Sequence, residues 1–235
     1  MRIAVIADIH GNLEALQTVL DDIAQEKLDR VFCVGDLVGY GPFPNEVIDT
    51  IRAHRISTLQ GNYDEGVGHD LMACGCDYKD EKALEIGARS LLWAQEHVTA
   101  ENKAFLRELP TRVFEQFGGW RVQFVHGSPR ANNEYLFEEN LALDDIVSDM
   151  AEDVLVCGHT HVPYYKRVHG KHVINAGSAG KPKHGTPDAS YVVIKFGDTD
   201  VRTEICFVPY DVERTAQALE VRGIPVEFAK MLRTG

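Results

Sequence analysis

The chain has 235 residues and a formal net charge of −12, with 44% hydrophobic and 26% charged residues. Those proportions exclude a disordered or collagen-like chain and suit a soluble globule that buries roughly 70% of the surface its unfolded chain would expose. The negative charge argues against generic binding to nucleic-acid backbones or anionic lipid, and no apolar stretch approaches the ~18 residues of a membrane helix.

The apolar start is short and meets Asp8 at once, unlike a signal peptide, so no membrane association and a cytoplasmic location are expected. Ile3 to Ala7 is rich in β-branched residues and predicts a strand buried on both faces. It runs into Asp8-Ile9-His10, and if the chain stays extended there, the carboxylate and imidazole project the same way. Leu13, Leu16, Leu20 and Ile23 follow at helical spacing, with Asn12 as N-cap. Val31 to Val34 predicts a second buried strand, continued by Gly35-Asp36-Leu37-Val38-Gly39. A short helix around Asn45 to Ala53 and a strand at Ile56 to Leu59, ending in Gly61-Asn62, complete a β-α-β-α-β pattern with parallel strands and right-handed crossovers. The separations from Asp8 to Asp36 and from Asp36 to Asn62, 28 and 26 residues, each match one strand-plus-helix unit. All four side chains therefore converge beyond the carboxyl ends of the strands, where open parallel sheets bind ligands.

The five cysteines, Cys33, Cys74, Cys76, Cys157 and Cys206, imply no disulfide framework. Cys74-Gly75-Cys76 is the one close pair, and it reads as an ordinary loop because no second pair completes a four-ligand metal set. Ala83, Leu84, Ala88, Leu91 and Leu92 predict a helix over Glu81 to His97, and a second helix from Glu101 to Glu108 stops before Pro110, together a helical insertion at about 79–109. Arg112 to Phe117 and Trp120 to Val125 flank Gly118-Gly119 as a hairpin, with His126 at its end. After the polar segment Ser128 to Asn140 and a short helix near Leu143 to Met150, the buried strand Val154 to Cys157 ends in Gly158-His159-Thr160-His161. Strands at Tyr164 to Val168, His172 to Ile174, Tyr191 to Phe196 and Val201 to Val208 precede a helical tail at about 211–235, interrupted at Gly223-Ile224-Pro225. No repeat or linker divides the chain, so the expectation is one α/β domain over 1–235, a two-sheet β-sandwich flanked by helices.

Asp8, His10, Asp36, Asn62, His126, His159 and His161 thus all follow predicted strands. A mixed imidazole and carboxylate set suits Mn, Fe, Zn, Ni or Co better than Ca or Mg. Seven side chains exceed the needs of one ion, whereas two divalent ions sharing Asp36 would use them all. A pair of ions about 3.5–4 Å apart clamps the attacking and leaving oxygens of an in-line displacement and acidifies bound water. Two such ions, two carboxylates and one hydroxide leave one net positive charge, which a phosphodiester monoanion neutralises. His54, His69, His97, His169 and His172 lack comparable company and read as structural or surface histidines.

The motifs Asp8-x-His10, Gly35-Asp36, Gly61-Asn62, His126 and Gly158-His159-x-His161 resemble those of the calcineurin-like metallophosphoesterases, in the family's order from Ile3 to about Val208, and in particular the small bacterial YfcE-like type. The resemblance implies an α-β-β-α sandwich, one ion on Asp8, His10, Asp36 and His161, and another on Asp36, Asn62, His126 and His159. It further implies manganese first among the metals and hydrolysis of a small phosphorylated substrate, a bridging hydroxide attacking phosphorus in line, with Asp36, Asn62 and His126 central to catalysis. Asp36 is followed by Leu37-Val38 where the protein serine/threonine phosphatases continue with a phosphate-gripping arginine. A phosphodiester is therefore the expected substrate, with monoesters and dinucleoside polyphosphates as alternatives. Candidate substitutes for that arginine are Arg130 and, after the Asn175-Ala176-Gly177-Ser178 turn, Lys181, Lys183 and His184. Many members carry histidine where this chain has Tyr63. A phenol of pKa about 10 is a poor proton shuttle, but its hydroxyl is expected to donate to a phosphoryl oxygen. The alternative of another class is a catalytically weak scaffold on the same fold, which loss of ligands would favour; none of the seven is missing. The helical insertion and the tail are open to a homo-oligomer contact or to capping the cleft, and packing against the sandwich is the plainer expectation.

Overall fold

A computed structural model describes residues 1–78 and 80–235. In chain order the elements are β1 (Arg2–Ile6), α1 (Leu13–Gln25), β2 (Arg30–Cys33), α2 (Pro44–Ala53), β3 (Ser57–Thr58), α3 (Asn62–Gly68), α4 (Glu81–His97), α5 (Ala100–Glu108), β4 (Arg112–Phe117), β5 (Trp120–Val125), α6 (Ala142–Asp149), β6 (Val154–Cys157), β7 (Tyr164–Val168), β8 (Lys171–Asn175), β9 (Ala189–Phe196), β10 (Val201–Val208), α7 (Val212–Val221) and α8 (Val226–Thr234). They form two five-stranded sheets, ordered β10-β9-β1-β2-β3 and β4-β5-β6-β8-β7. Both sheets are mixed. In the first, β1, β2 and β3 run parallel, and β9 lies antiparallel between β1 and β10; in the second, β5, β6 and β8 run parallel between antiparallel edges β4 and β7.

Alternation along the strands builds the layers. Ile3 and Val5 of β1 face the space between the sheets, where they meet Phe32, Val122, Phe124, Val154, Val156 and Ile174. Ala4 and Ile6, pointing the opposite way, pack with Leu16 and Val19 of α1 and with Val47, Ile48 and Ile51 of α2. The outer face of the second sheet is covered at Leu155, Cys157 and Val173 by Leu143, Ile146 and Val147 of α6. The result is the expected α/β sandwich of two sheets between helices. Asn12 caps α1 as expected, its Oδ1 accepting from the Ala15 amide at 3.2 Å, and the same side chain donates to the Gly180 carbonyl at 2.9 Å.

Three local expectations change. The third strand is only two residues long, because after Leu59 bonds to Cys33 the Gln60 amide turns to the Pro110 carbonyl, which draws the chain off the ladder. Gly61-Asn62 therefore ends no strand; it opens α3, a seven-residue helix without an apolar period. Nor is Asp8-Ile9-His10 extended, since Asp8 and His10 have φ of +51° and +50°. The two helices expected over Glu81 to His97 and Glu101 to Glu108 are α4 and α5, and Lys79, where the expected insertion begins, lies outside the described residues. The tail divides where expected into α7 and α8, which pack with Ile86 of α4. Among the described residues no helix is long and apolar enough to cross a membrane.

The inter-sheet layer centres on Phe124, which stacks on Phe32 with ring centroids 4.5 Å apart and is 1% exposed. Truncation there leaves a cavity that two paired sheets cannot collapse to fill. Phe124→Ala is expected to cost about 3–5 kcal/mol in urea unfolding, and a loss below ~1 kcal/mol would mean that the layer repacks.

Candidate metal centre

The seven expected ligand residues gather at one rim of the sandwich, all of them 4% exposed or less. Asp8 and His10 follow β1, Asp36 follows β2, Asn62 begins α3, His126 follows β5, and His159 and His161 follow β6. Asp8, His10, Asp36, His159 and His161 all lie at positive φ, between +50° and +65°. Left-handed backbone costs a residue with a Cβ about 1–3 kcal/mol, and it turns each side chain inward immediately after its strand. Hydrogen bonds hold most of these turns. The Asp8 and His10 amides donate to the Gly35 and Asp36 carbonyls at 3.0 and 2.9 Å, and the His159 amide donates to Asp8 Oδ2 at 2.9 Å.

Asp64, two residues beyond Asn62, organises the loop that carries Asp36. Its buried carboxylate accepts the amides of Asp36 and Leu37 at 2.8 Å each and of Gly61 at 2.9 Å. Burial and the nearby Asp36 charge push its carboxyl up to about 7, against the pull of those amides. The Tyr63 amide at the start of α3 donates in turn to Asp36 Oδ1 at 2.8 Å, leaving Oδ2 to face the centre. Gly61 is required by this approach, since a Cβ there would fall 2.0 Å from Asp36 Oδ1. Nothing in the ligand pattern pointed to Asp64; its spacing of three from Gly61, that of a helix-capping carboxylate, was the available signal.

Carbonyl partners fix the histidine tautomers. Nδ1 of His10 donates to Val38 at 2.9 Å, Nδ1 of His126 to Val34 at 2.8 Å, and Nδ1 of His161 to Lys181 at 2.5 Å. Each ring therefore turns its Nε2 to the centre, the nitrogen that a metal ion would take up. His159 is reversed, with Nε2 donating to the Asn133 carbonyl at 3.2 Å and Nδ1 left available. The inward atoms form two groups, Asp8 with His10 and His161, and Asp36 with His126 and His159. In the first group His10 Nε2 lies 3.2 Å from His161 Nε2, and Asp8 Oδ1 lies 3.2 Å from His161 Nε2 with no hydrogen-bond donor of its own. In the second, Asn62 Oδ1 is 3.0 Å from His126 Nε2, and Asp36 Oδ2 is 3.4 Å from the same nitrogen and 3.7 Å from His10 Nε2. Buried acceptors facing acceptors repel unless a cation lies between them. The donor set fits divalent metal ions, with Asp36 Oδ2 between the two groups.

The protonation pattern follows from the same crowding. Burial opposes charge on His126, but Asp36 beside it prevails and raises the ring to about 10. His159 is pushed down to about 4 by burial and by His126, and His161 falls well below its ordinary value through burial and the Lys183 charge. For Asp8, the facing His161, His10 and His126 outweigh burial and hold the carboxyl well below the usual carboxylate range.

The other predicted site residues are only partly assembled. The Tyr63 hydroxyl is 2.7 Å from that of Tyr78, and its ring packs edge-on to His10 at 5.5 Å, so the hydroxyl expected to reach a phosphoryl oxygen is engaged by a half-buried tyrosine. Lys181 lies near the centre, its ammonium 4.4 Å over the Tyr40 ring; burial and Lys183 push it down to about 7. Lys183 donates its amide to the His161 carbonyl at 3.2 Å. Arg130 is exposed and bound to Glu134, and His184 bonds Thr186 and packs on Phe207 at 4.8 Å; neither joins the centre. Cys74 and Cys76, read as an ordinary loop, instead lie against Asn62.

The family model for the calcineurin-like phosphoesterase superfamily domain matches residues 1–199. An uncharacterized protein of Methanocaldococcus jannaschii is 34% identical over 99% of this chain and 98% of its own length. The phosphodiesterase YfcE of Escherichia coli is 28% identical over 87% of this chain and 91% of its own. The crystal structure of a metallophosphoesterase from Sphaerobacter thermophilus superposes with a TM-score of 0.79 at 30% identity, covering 99% of this chain and 98% of that one. With its two-sheet sandwich and its rim of buried imidazoles and carboxylates, the chain belongs to the calcineurin-like phosphoesterase superfamily of metal-dependent phosphoester hydrolases.

Proposed function

We propose that residues 1–235 form one domain that hydrolyses phosphodiesters with two divalent metal ions, manganese foremost. The observation that carries this reading is the pair of acceptor groups meeting at Asp36 Oδ2. Asp8, His10, Asp36 and His161 would hold one ion, and Asp36, Asn62, His126 and His159 the other. Ions held there supply Lewis acidity to the phosphoryl group and acidify water. The chain's own contribution is to fix four imidazoles in the required tautomers, to keep Asp8 and Asp36 ionised, and to exclude bulk water from the donors.

A diester is favoured because the strand-end loop after Asp36 presents buried Leu37 and Val38 in place of a cation, and the similarity to the phosphodiesterase YfcE supports it. We assign the phosphate contact to Lys183, whose charge acts on both His161 and His159. Tyr63 acts as a wall for His10, with its hydroxyl committed to Tyr78.

Purified protein is expected to hydrolyse bis-p-nitrophenyl phosphate only with a divalent ion, Mn²⁺ giving the highest rate; no turnover with Mn, Fe, Zn, Ni or Co at full occupancy would sink the proposal. His126→Ala should lower bound metal and cut kcat/KM at least ~100-fold, whereas Tyr63→Phe should keep both within about twofold. Metal content unchanged in His126→Ala would remove that residue from the ligand set.

A pH dependence follows from His126. Its ring in the metal-free chain titrates at about 10, so below that pH an ion entering the second group must displace a proton. Mn²⁺ affinity should therefore rise as pH rises, about tenfold per unit between roughly pH 6 and 8. Binding isotherms that coincide across that range would contradict the assignment.

A further inference from the structure

We propose that Cys74 and Cys76 form a reversible oxidation site, a dithiol that closes to a disulfide and thereby loosens the second metal group. The inference rests on the dinuclear reading above. The turn Cys74-Gly75-Cys76 is built to bring two sulfurs together, with Gly75 at φ +73° and Cys74 Sγ 3.0 Å from Cys76 Sγ. A disulfide needs a separation of about 2.05 Å, so bonding requires a movement of about 1 Å within one turn. The remaining thiols lie elsewhere, Cys33 in β2, Cys157 in β6 and Cys206 in β10.

The turn also touches Asn62 of the second group directly and reaches His159 through Asn133. On one side the Asn62 amide nitrogen donates to the Cys74 carbonyl at 3.0 Å and to Cys76 Sγ at 3.2 Å, which aims Asn62 Oδ1 at the centre, 3.0 Å from His126 Nε2. On the other side Asn133 Nδ2 donates to the Gly75 carbonyl at 2.9 Å, while the Asn133 carbonyl accepts from His159 Nε2. A Cβ on residue 75 would fall 2.5 Å from Asn133 Nδ2, so the contact is close. Drawing Cys76 Sγ toward Cys74 takes it away from Asn62 and turns a thiol acceptor into a poorer disulfide sulfur. Asn62 then keeps one of its two anchors. Loss of such an outer partner typically weakens metal binding about 10–100-fold.

The oxidant is a small-molecule disulfide. One cysteine thiolate attacks it, forming a mixed disulfide and expelling one thiol; the second cysteine attacks the mixed disulfide, forming the Cys74–Cys76 bond and expelling the other. The two cysteine protons finish on the two released thiols, and the two electrons lost by the cysteines reduce the reagent. A dithiol such as dithiothreitol reverses both steps.

The test uses the full chain and glutathione disulfide, which does not itself change the redox state of Mn²⁺. After treatment, alkylation and tryptic digestion, the peptide spanning 56 to 79 should be two hydrogens lighter and unalkylated. Mn²⁺ affinity for one of the two sites, measured by equilibrium dialysis, should fall at least ~10-fold and recover with dithiothreitol. Cys74→Ser and Cys74→Ala, each compared with its own untreated state, should show no shift in Mn²⁺ binding. The proposal is overturned if the peptide retains both hydrogens at full exposure, if the disulfide forms while the isotherm stays fixed, or if both variants respond like the parent. Protein that shows this metal response but hydrolyses no phosphate ester would instead overturn the phosphodiesterase reading and leave the oxidation site standing.

Discussion

The structure depends on holding buried lone pairs against one another. His10 Nε2, His161 Nε2 and Asp8 Oδ1 face inward without a donor among them, and in the second group His126 Nε2 and Asn62 Oδ1 meet at 3.0 Å beside Asp36. No packing of this kind forms spontaneously, because each atom left without a donor forfeits roughly 1–3 kcal/mol. The energy that holds them comes from outside the centre. Asp64 gathers the Asp36 loop onto the start of α3, His126 bonds across the sandwich to Val34 beyond β2, and Asp8 accepts the His159 amide from beyond β6. These links tie the two sheets together at the rim where the ligands lie, while the aromatic layer around Phe32 and Phe124 joins them below. The site and the sheet-to-sheet contact are therefore one construction.

Left-handed backbone at five ligand positions serves the same end. An extended exit from a strand would send Asp8 and His10 along the sheet and toward its edge. A left-handed residue reverses the chain within one step, so that ligands separated by more than a hundred residues meet within hydrogen-bonding distance. The strain is tolerated because the amides of Asp8, His10, Asp36 and His159 are each bonded to an adjoining loop. Strain of this size at a site is a sign of selection for geometry over stability.

Much of this was legible in the sequence. Buried strands such as Ile3 to Ile6 and Val154 to Cys157 announce themselves as apolar runs, and α1 by the spacing of Leu13, Leu16, Leu20 and Ile23. The candidate ligands stand out because carboxylates and imidazoles directly after apolar strands serve no core. What could not be read depended on contacts made across the chain. The helix α3 has two glycines and no apolar stripe, so it is specified by Asp64 and Asp36 rather than by pattern. Left-handed φ at Asp8 or His159 is imposed by the neighbouring loop. Arg130 is taken up by Glu134, four residues on, a pairing that only the folded loop decides. Cys74 and Cys76 looked idle because their neighbour, Asn62, reaches them only in the folded chain.

Substitution at Tyr63 illustrates how one position reshapes a reaction site. Its ring fills the space above Gly39, where a Cβ would come within 2.3 Å of Tyr63 Cδ1, and it packs against both Tyr40 and His10. The ring is thus a structural part of the first metal group, while its hydroxyl looks away toward Tyr78. No imidazole stands at that position to share a proton with a departing oxygen. Among the described residues the Lys181 and Lys183 segment brings positive charge beside the centre, and Lys181 is itself pushed down to about 7. A site with little cationic charge beyond its metals stabilises a singly charged phosphoryl group better than a dianion, and one without an imidazole acid there favours leaving groups that depart without help. Both features are in keeping with the diester proposed for this site.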